Sequence, residues 1–153
     1  MNAVAVDTSP LPVQSSEPRI VAFCCHYCAF TAADLAGTMR QQYPPNVHIV
    51  RFPCTGRLEI NLILKAILDG ADGVLVAGCE PGSCHYLQGN LRAAKRVERC
   101  KELMAQSGVN PELVEMRHIA ASQGPLFAKV ARLFTEKIRE IKQQANGSMP
   151  SAS

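Results

Sequence analysis

Short apolar blocks alternate along the chain with longer stretches in which apolar residues recur every three or four positions, and this rhythm sets the expected fold. Ile20-Val21-Ala22-Phe23 reads as a strand that ends in Cys24 and Cys25. A helical stretch follows from Thr31 to Gln42, with Thr31 and Asp34 at capping-box spacing and Tyr43-Pro44-Pro45-Asn46 as the stop. Val47 to Phe52 reads as a second strand and Leu58 to Leu68 as a second helix, closed by Asp69-Gly70. Gly73 to Gly78 is the most apolar strand, and a helix from His85 to Gln106 follows it, ending at Ser107-Gly108. Leu113 to Ile119 makes a fourth strand. From Pro125 to Gln143 the residues Leu126, Val130, Leu133, Phe134, Ile138 and Ile141 share one face of an amphipathic helix, with Ser122 as its cap. Strands alternating with helices predict an α/β fold: a single three-layer domain with a mostly parallel sheet of about four strands.

The two ends lack this rhythm. Residues 1–18 and 145–153 mix Pro, Ser and small residues without periodicity and are expected to be unstructured, which leaves one domain over residues 19–144. No apolar run is long enough for a membrane span, and the start lacks the basic and apolar blocks of a secretory signal, so the reading keeps the protein in the cytoplasm. A formal charge of +3, no tryptophan and three tyrosines offer little for binding nucleic acid.

Seven cysteines change the picture. In a reducing compartment, clustered cysteines serve as metal ligands or redox catalysts more often than as disulfides. Cys24 and Cys25 end the first strand, Cys54 the second and Cys79 the third, while Cys28 and Cys84 follow in the adjoining loops. Strands of a parallel sheet all point their carboxyl ends the same way, so these sulfurs converge on the crevice where open α/β sheets hold ligands. Thiolates are soft donors suited to zinc or an iron-sulfur centre. The spacing, Cys25-x-x-Cys28, a lone Cys54, then Cys79 and Cys84, departs from the paired knuckles of zinc ribbons and ring fingers and places zinc second. A [2Fe-2S] centre suits the size, with the turns Thr55-Gly56 and Pro81-Gly82-Ser83 letting backbone approach the sulfurs.

PCTGRLEINLILKAILDGADGVLVAGCEPGSCHYLQGN, with FCCHYCAFTAADLAG and QYPPNV upstream, resembles the small iron-sulfur (delta) subunit of the methyl-viologen-reducing hydrogenase, from Ile20 to Arg139. The resemblance implies an electron-transfer subunit that carries a [2Fe-2S] cluster. It also implies partners: a hydrogenase or formate dehydrogenase on one side and the flavin subunit of heterodisulfide reductase on the other. Residue by residue it puts the candidate ligands at Cys25, Cys28, Cys54, Cys79 and Cys84, five for four places. Cys24 matches a position often occupied by leucine in that family, and Glu80 stands where a histidine is expected.

The remaining features have plainer readings. Cys100, three residues after Val97 and four before Met104, is expected to pack inside the third helix. His85 and Tyr86 follow Cys84 as candidates to support the cofactor from beside its ligands, where His85 either donates a hydrogen bond to a sulfur or caps the loop, and His26 and Tyr27 are expected on an exposed loop. Arg92, Lys95, Arg96 and Arg99 make a basic helix face, and the helix from Leu58 to Leu68 is apolar nearly all round, which predicts burial on both sides or docking on another subunit. No phosphate-binding glycine motif and no CxxxxxR loop is present, and no catalytic acid, base or nucleophile is assigned. Two alternatives stay open: a zinc-stabilised interaction module, and a protein exchanging disulfides through Cys25-x-x-Cys28.

Overall fold

The computed structural model describes residues 17–147. Its elements are β1 (Ile20–Cys25), α1 (Thr31–Thr38), β2 (Val47–Phe52), α2 (Ile60–Leu68), β3 (Gly73–Gly78), α3 (Gly89–Gln106), β4 (Val114–His118) and α4 (Gly124–Gly147). The four strands form one parallel sheet in the order β2-β1-β3-β4. Parallel pairing needs long crossovers, and each strand is followed by a helix that carries the chain back across the sheet.

Alternation along β1 divides its side chains between two cores. Ile20, Ala22 and Cys24 face α1 and α4 with Phe127, Ala131, Phe134 and Ile138, whereas Val21 and Phe23 face α2 and α3 with Ile63, Val97 and Met104. β3 repeats the division, Leu75 and Ala77 on one side and Val74 and Val76 on the other. The result is the expected three-layer α/β domain. Both central strands are apolar on both faces because both faces are covered by helices. A side chain such as Phe127, fully buried, contributes roughly 1.5–3 kcal/mol by leaving water.

The chain order creates a reversal. From β1 the chain passes through α1 to β2 at one edge, and from β3 through α3 to β4 at the other, so the loops after β1 and β3 part company and leave a crevice between them. That reversal is where open α/β sheets bind ligands.

Several boundaries differ from expectation. α1 ends at Thr38, four residues short of Gln42, as Arg40 turns into the left-handed region at φ 56°. Thr31 forms no capping box, because a wide helical turn over His26–Phe30 already precedes it and its hydroxyl donates to the His26 carbonyl at 3.0 Å. α3 begins at Gly89 instead of His85, since Cys84 to Leu87 forms a tight turn with Leu87 at φ 65°. Ahead of α4 it is Gln123, not Ser122, whose side chain accepts a backbone N–H, from Ala120 at 2.8 Å. α4 also runs on to Gly147, into the segment expected to lack structure, while residues 1–16 and 148–153 lie outside the described residues. Along α2, Ile63 is buried but Leu62 and Leu68 are exposed, so this helix is not covered on both sides.

Candidate metal centre

The carboxyl ends of β1 and β3 bring Cys25 and Cys79 side by side, with their sulfurs 3.4 Å apart. The wide turn after β1 folds Cys28 back over them, and the sulfurs of Cys25, Cys28 and Cys79 all lie within 4.8 Å of one another. Cys84, from the loop after β3, packs against this trio. Cys54, two residues past β2, joins the group beside Cys84, both sulfurs lying within 3.3 Å of the point where a Cβ on Gly89 would sit. Five sulfurs from three βα loops therefore share one crevice, Cys84 linking a trio to Cys54.

Two glycines make this approach possible. A Cβ on Gly89 would lie 2.2 Å from the Cys54 sulfur and 3.3 Å from that of Cys84, and a Cβ on Gly56 would lie 2.6 Å from the Gly89 Cα. The first turn of α3 and the turn after Cys54 thus meet backbone to backbone. Any side chain at 89 would occupy the space in which the two sulfurs meet.

Backbone donors converge on the same atoms. Gly56 N–H donates to the Cys54 sulfur at 3.3 Å. Although burial acts to raise it, the Cys84 thiol is drawn below its ordinary value by backbone N–H groups of Asn90, Tyr86 and Gly89 at the start of α3. Burial pushes the thiols of Cys28, Cys54 and Cys79 upward, and close neighbouring sulfurs reinforce this for Cys54 and Cys79. Crowded thiols of this kind give up their protons to a positive centre that replaces them. The donor set, the clearance at Gly89 and the N–H groups aimed at sulfur fit an iron-sulfur group held by thiolates.

Two polar side chains hold the Cys79 end of the crevice, and sequence reasoning singled out neither. Asn90 is fully buried and donates from Nδ2 to the carbonyls of Cys79 and Glu80, both at 2.9 Å, while its Oδ1 accepts Leu91 N–H. His118, at the carboxyl end of β4, lies with Nδ1 2.8 Å from the Cys79 carbonyl. A carbonyl only accepts, so this nitrogen carries the proton. The available signals were positional: Asn90 follows the glycine that opens α3, and His118 ends the fourth strand at the same sheet edge as the cysteines.

The other cysteines lie elsewhere. Cys24 sits in the α1/α4 core, where burial pushes its thiol up to about 12. Cys100 is buried in the α2/α3 core with its sulfur 4.0 Å from that of Met104. His85 stacks on Tyr27 with ring centroids 4.0 Å apart, and Tyr86 meets both rings edge-on; all three, with His26, are exposed above the crevice. On α3, Arg96 turns inward to the carbonyls of Gly56 and Leu58, while Arg92, Lys95 and Arg99 remain exposed. Among the described residues no helix is long and apolar enough to cross a membrane.

Free thiols gathered at the switch point of a parallel sheet define the class: a small α/β domain with a cysteine-lined candidate metal site. The chain belongs to the family described as methyl-viologen-reducing hydrogenase, delta subunit, which it matches over residues 20–142. It is 44% identical over 125 residues to the iron-sulfur subunit of the F420-non-reducing hydrogenase of Archaeoglobus profundus, covering 82% of this chain and 91% of that protein. The vhu iron-sulfur subunit of the F420-non-reducing hydrogenase of Methanocaldococcus jannaschii is 40% identical over 125 residues, 82% of this chain and 93% of that protein. In Methanosarcina acetivorans, one subunit of the ferredoxin/F(420)H(2)-dependent CoB-CoM heterodisulfide reductase is 39% identical over 128 residues, 84% of this chain and 16% of that protein.

Proposed function

We propose that this chain is an electron-transfer subunit that holds a [2Fe-2S] cluster on four of Cys25, Cys28, Cys54, Cys79 and Cys84. It relays electrons between a hydrogenase or formate dehydrogenase and a heterodisulfide-reductase-type flavin subunit in the cytoplasm. The observation that carries this reading is the convergence of five free thiols from three loops, Cys25, Cys28 and Cys79 within 4.8 Å of one another, in a chain whose relatives are iron-sulfur subunits. A relative in which the same domain is one part of a longer heterodisulfide reductase chain supports that partner.

When bound, the cluster supplies one-electron chemistry, and the protein's own residues set its conditions. The thiolates would hold it; the Gly56 N–H donates to the Cys54 sulfur, and the backbone N–H groups of Asn90, Tyr86 and Gly89 favour negative charge on Cys84. Asn90 and His118 brace the Cys79 loop through its carbonyl. No proton transfer or substrate contact is required of this chain.

The test is iron and acid-labile sulfide content with the electron paramagnetic resonance spectrum of anaerobically purified, dithionite-reduced protein. About two irons and two sulfides per chain with a spin-half signal are expected, and Cys54→Ala and Cys84→Ala each lose the signal. Zinc, or freely titrating thiols after anaerobic reconstitution, would replace the reading with a zinc module or a thiol-exchange protein.

A further inference from the structure

Above the sulfur crevice lies a plate of exposed side chains that packing of this chain does not explain. Tyr27 and His85 stack at 4.0 Å, Tyr86 meets them at 6.1 and 5.0 Å, and His26 meets Tyr27 at 5.0 Å. Tyr27 is 41% and Tyr86 53% exposed. Beside them Leu87 is 84% exposed and holds φ 65°, a backbone region that glycine adopts freely and leucine does not. Leucine at this position bears backbone strain and recovers almost nothing from burial. Its turn is fixed by Leu87 N–H to the Cys84 carbonyl at 3.1 Å and Gln88 N–H to the Tyr86 carbonyl at 2.8 Å. The fold would be served better by glycine; an apolar knob aimed outward serves contact with another molecule.

The two hollows beside the plate carry charge of one sign. A cavity of about 220 Å³ beside Tyr86 is lined by Arg57 and Arg92, and a second of about 320 Å³ beside Tyr27 by Arg51 and His26. Pro53 belongs to both, and among the described residues no acidic one lines either. Among the described residues Arg51, Arg57 and Arg92 meet no carboxylate, whereas Lys65, Arg99, Lys101, Lys137 and Lys142 each do. Exposed aromatic rings and arginines around an aliphatic anchor match the composition of protein interfaces.

We propose that this plate is a docking face for a partner protein whose contact surface carries carboxylates around an apolar recess, the recess receiving Leu87 and the carboxylates meeting Arg51, Arg57 and Arg92. The identity of that partner rests on the electron-relay reading above, which makes it the heterodisulfide-reductase-type flavin subunit. Tyr27 adjoins Cys28 and His85 adjoins Cys84 in the chain, so docking here covers the mouth of the crevice. A protein is favoured over single-stranded nucleic acid because the rings stack on one another instead of standing apart to accept bases, and because the most exposed element is aliphatic.

The test uses the full-length, anaerobically reconstituted chain and the purified heterodisulfide-reductase-type flavin protein of the same organism, with binding followed by biolayer interferometry at low and high ionic strength. Leu87→Gly is expected to bind about tenfold more weakly while its melting temperature stays level or rises, an outcome that a purely structural role for Leu87 forbids. Joint replacement Arg51→Glu, Arg57→Glu and Arg92→Glu is expected to weaken binding by about a hundredfold at low ionic strength and to reverse its salt dependence, while Arg99→Glu, a cation already paired with Glu102, changes neither. Wild-type binding by all three variants, absence of binding by the native chain, or binding of a single-stranded oligonucleotide at this face in place of the protein overturns the proposal. Iron content and the spin-half signal are read on each preparation separately. Their absence, with the binding pattern intact, removes the electron-relay reading and leaves the docking face standing.

Discussion

The two ends of the strands, here the amino edge and the carboxyl edge of the sheet, hold different chemistry on the same scaffold. At the amino edge, Lys142 meets Asp72 at 3.1 Å, Lys137 meets Glu112 at 2.6 Å and Glu115 at 3.1 Å, and a cavity of about 600 Å³ is walled by Leu113, Ile138, Ile141 and the stem of Lys142. At the carboxyl edge the cavities are smaller, Arg51, Arg57 and Arg92 meet no carboxylate among the described residues, and five sulfurs crowd the crevice between β1 and β3. Among the described residues the larger hollow brings together no soft donor, so volume is a poor guide here and donor chemistry a good one. The amino edge is arranged for cohesion, and the carboxyl edge trades cohesion for reactive groups that a cofactor or a partner must complete.

If that division is right, substitutions at the two edges should fail in different ways, and Gly89→Ala gives the largest separation. Its Cβ would fall 2.2 Å from the Cys54 sulfur, a distance no side-chain adjustment leaves intact. Loss of most of the iron is expected, with far-ultraviolet circular dichroism unchanged, because alanine suits the first turn of a helix. Iron retained at the native level would mean that Cys54 lies outside the cofactor's ligand set.

Gly73→Ala probes the amino edge with the same chemical change. Its Cβ would lie 2.7 Å from Cγ1 and 2.9 Å from Cδ1 of Ile138, so the Ile138 side chain must turn aside or α4 must shift away from β3. Overpacking of this kind costs about 1–3 kcal/mol, measurable by urea denaturation, while iron per folded chain stays native. Equal losses of iron in both glycine variants would erase the distinction between the edges.

Much of this architecture was legible in the chain, and the exceptions have physical causes. β2 and β3 follow their expected limits because period and apolar content are local properties, and the cysteines reach one edge because parallel strands oblige them to. The start of α3 was not legible. His85 to Gln88 carry no breaker, and their turn exists because Cys84 is drawn toward Cys54 and α3 must open at the glycine that clears both sulfurs. The wide turn over His26–Phe30 depends in the same way on Cys28 folding back to Cys25. Asn90 and His118 act through the Cys79 carbonyl, and in a linear sequence nothing marks a carbonyl as needing partners.

Cys100 sharpens the comparison from inside the molecule. It is as buried as Cys79, yet it belongs to the α2/α3 core and touches Met104 rather than another thiol. Cys100→Ala should cost about 1 kcal/mol, the scale of removing one methyl-sized group from a core, and leave iron and the spin-half signal unchanged. A loss of signal would show that burial of sulfur, not its place at the sheet edge, decides which cysteines matter.

The smallest effect belongs to the paired charges of the amino edge. A hydrogen bond from Lys137, supported by the charge of Lys101, holds the Glu112 carboxyl below its ordinary value of 4.5. A carboxyl whose folded value is depressed contributes stability that is present above the unfolded value and lost as pH falls through the folded one. Glu112 is about half exposed, so solvent screens the pair and limits its worth to less than about 1 kcal/mol. Glu112→Gln should therefore lower stability slightly at neutral pH and not at all once the wild-type carboxyl is protonated, so that the two urea midpoints converge as pH drops below 4.5. A gap that persists into acid would assign the stabilisation to shape and hydrogen bonding, and the amino edge would then be held by packing alone.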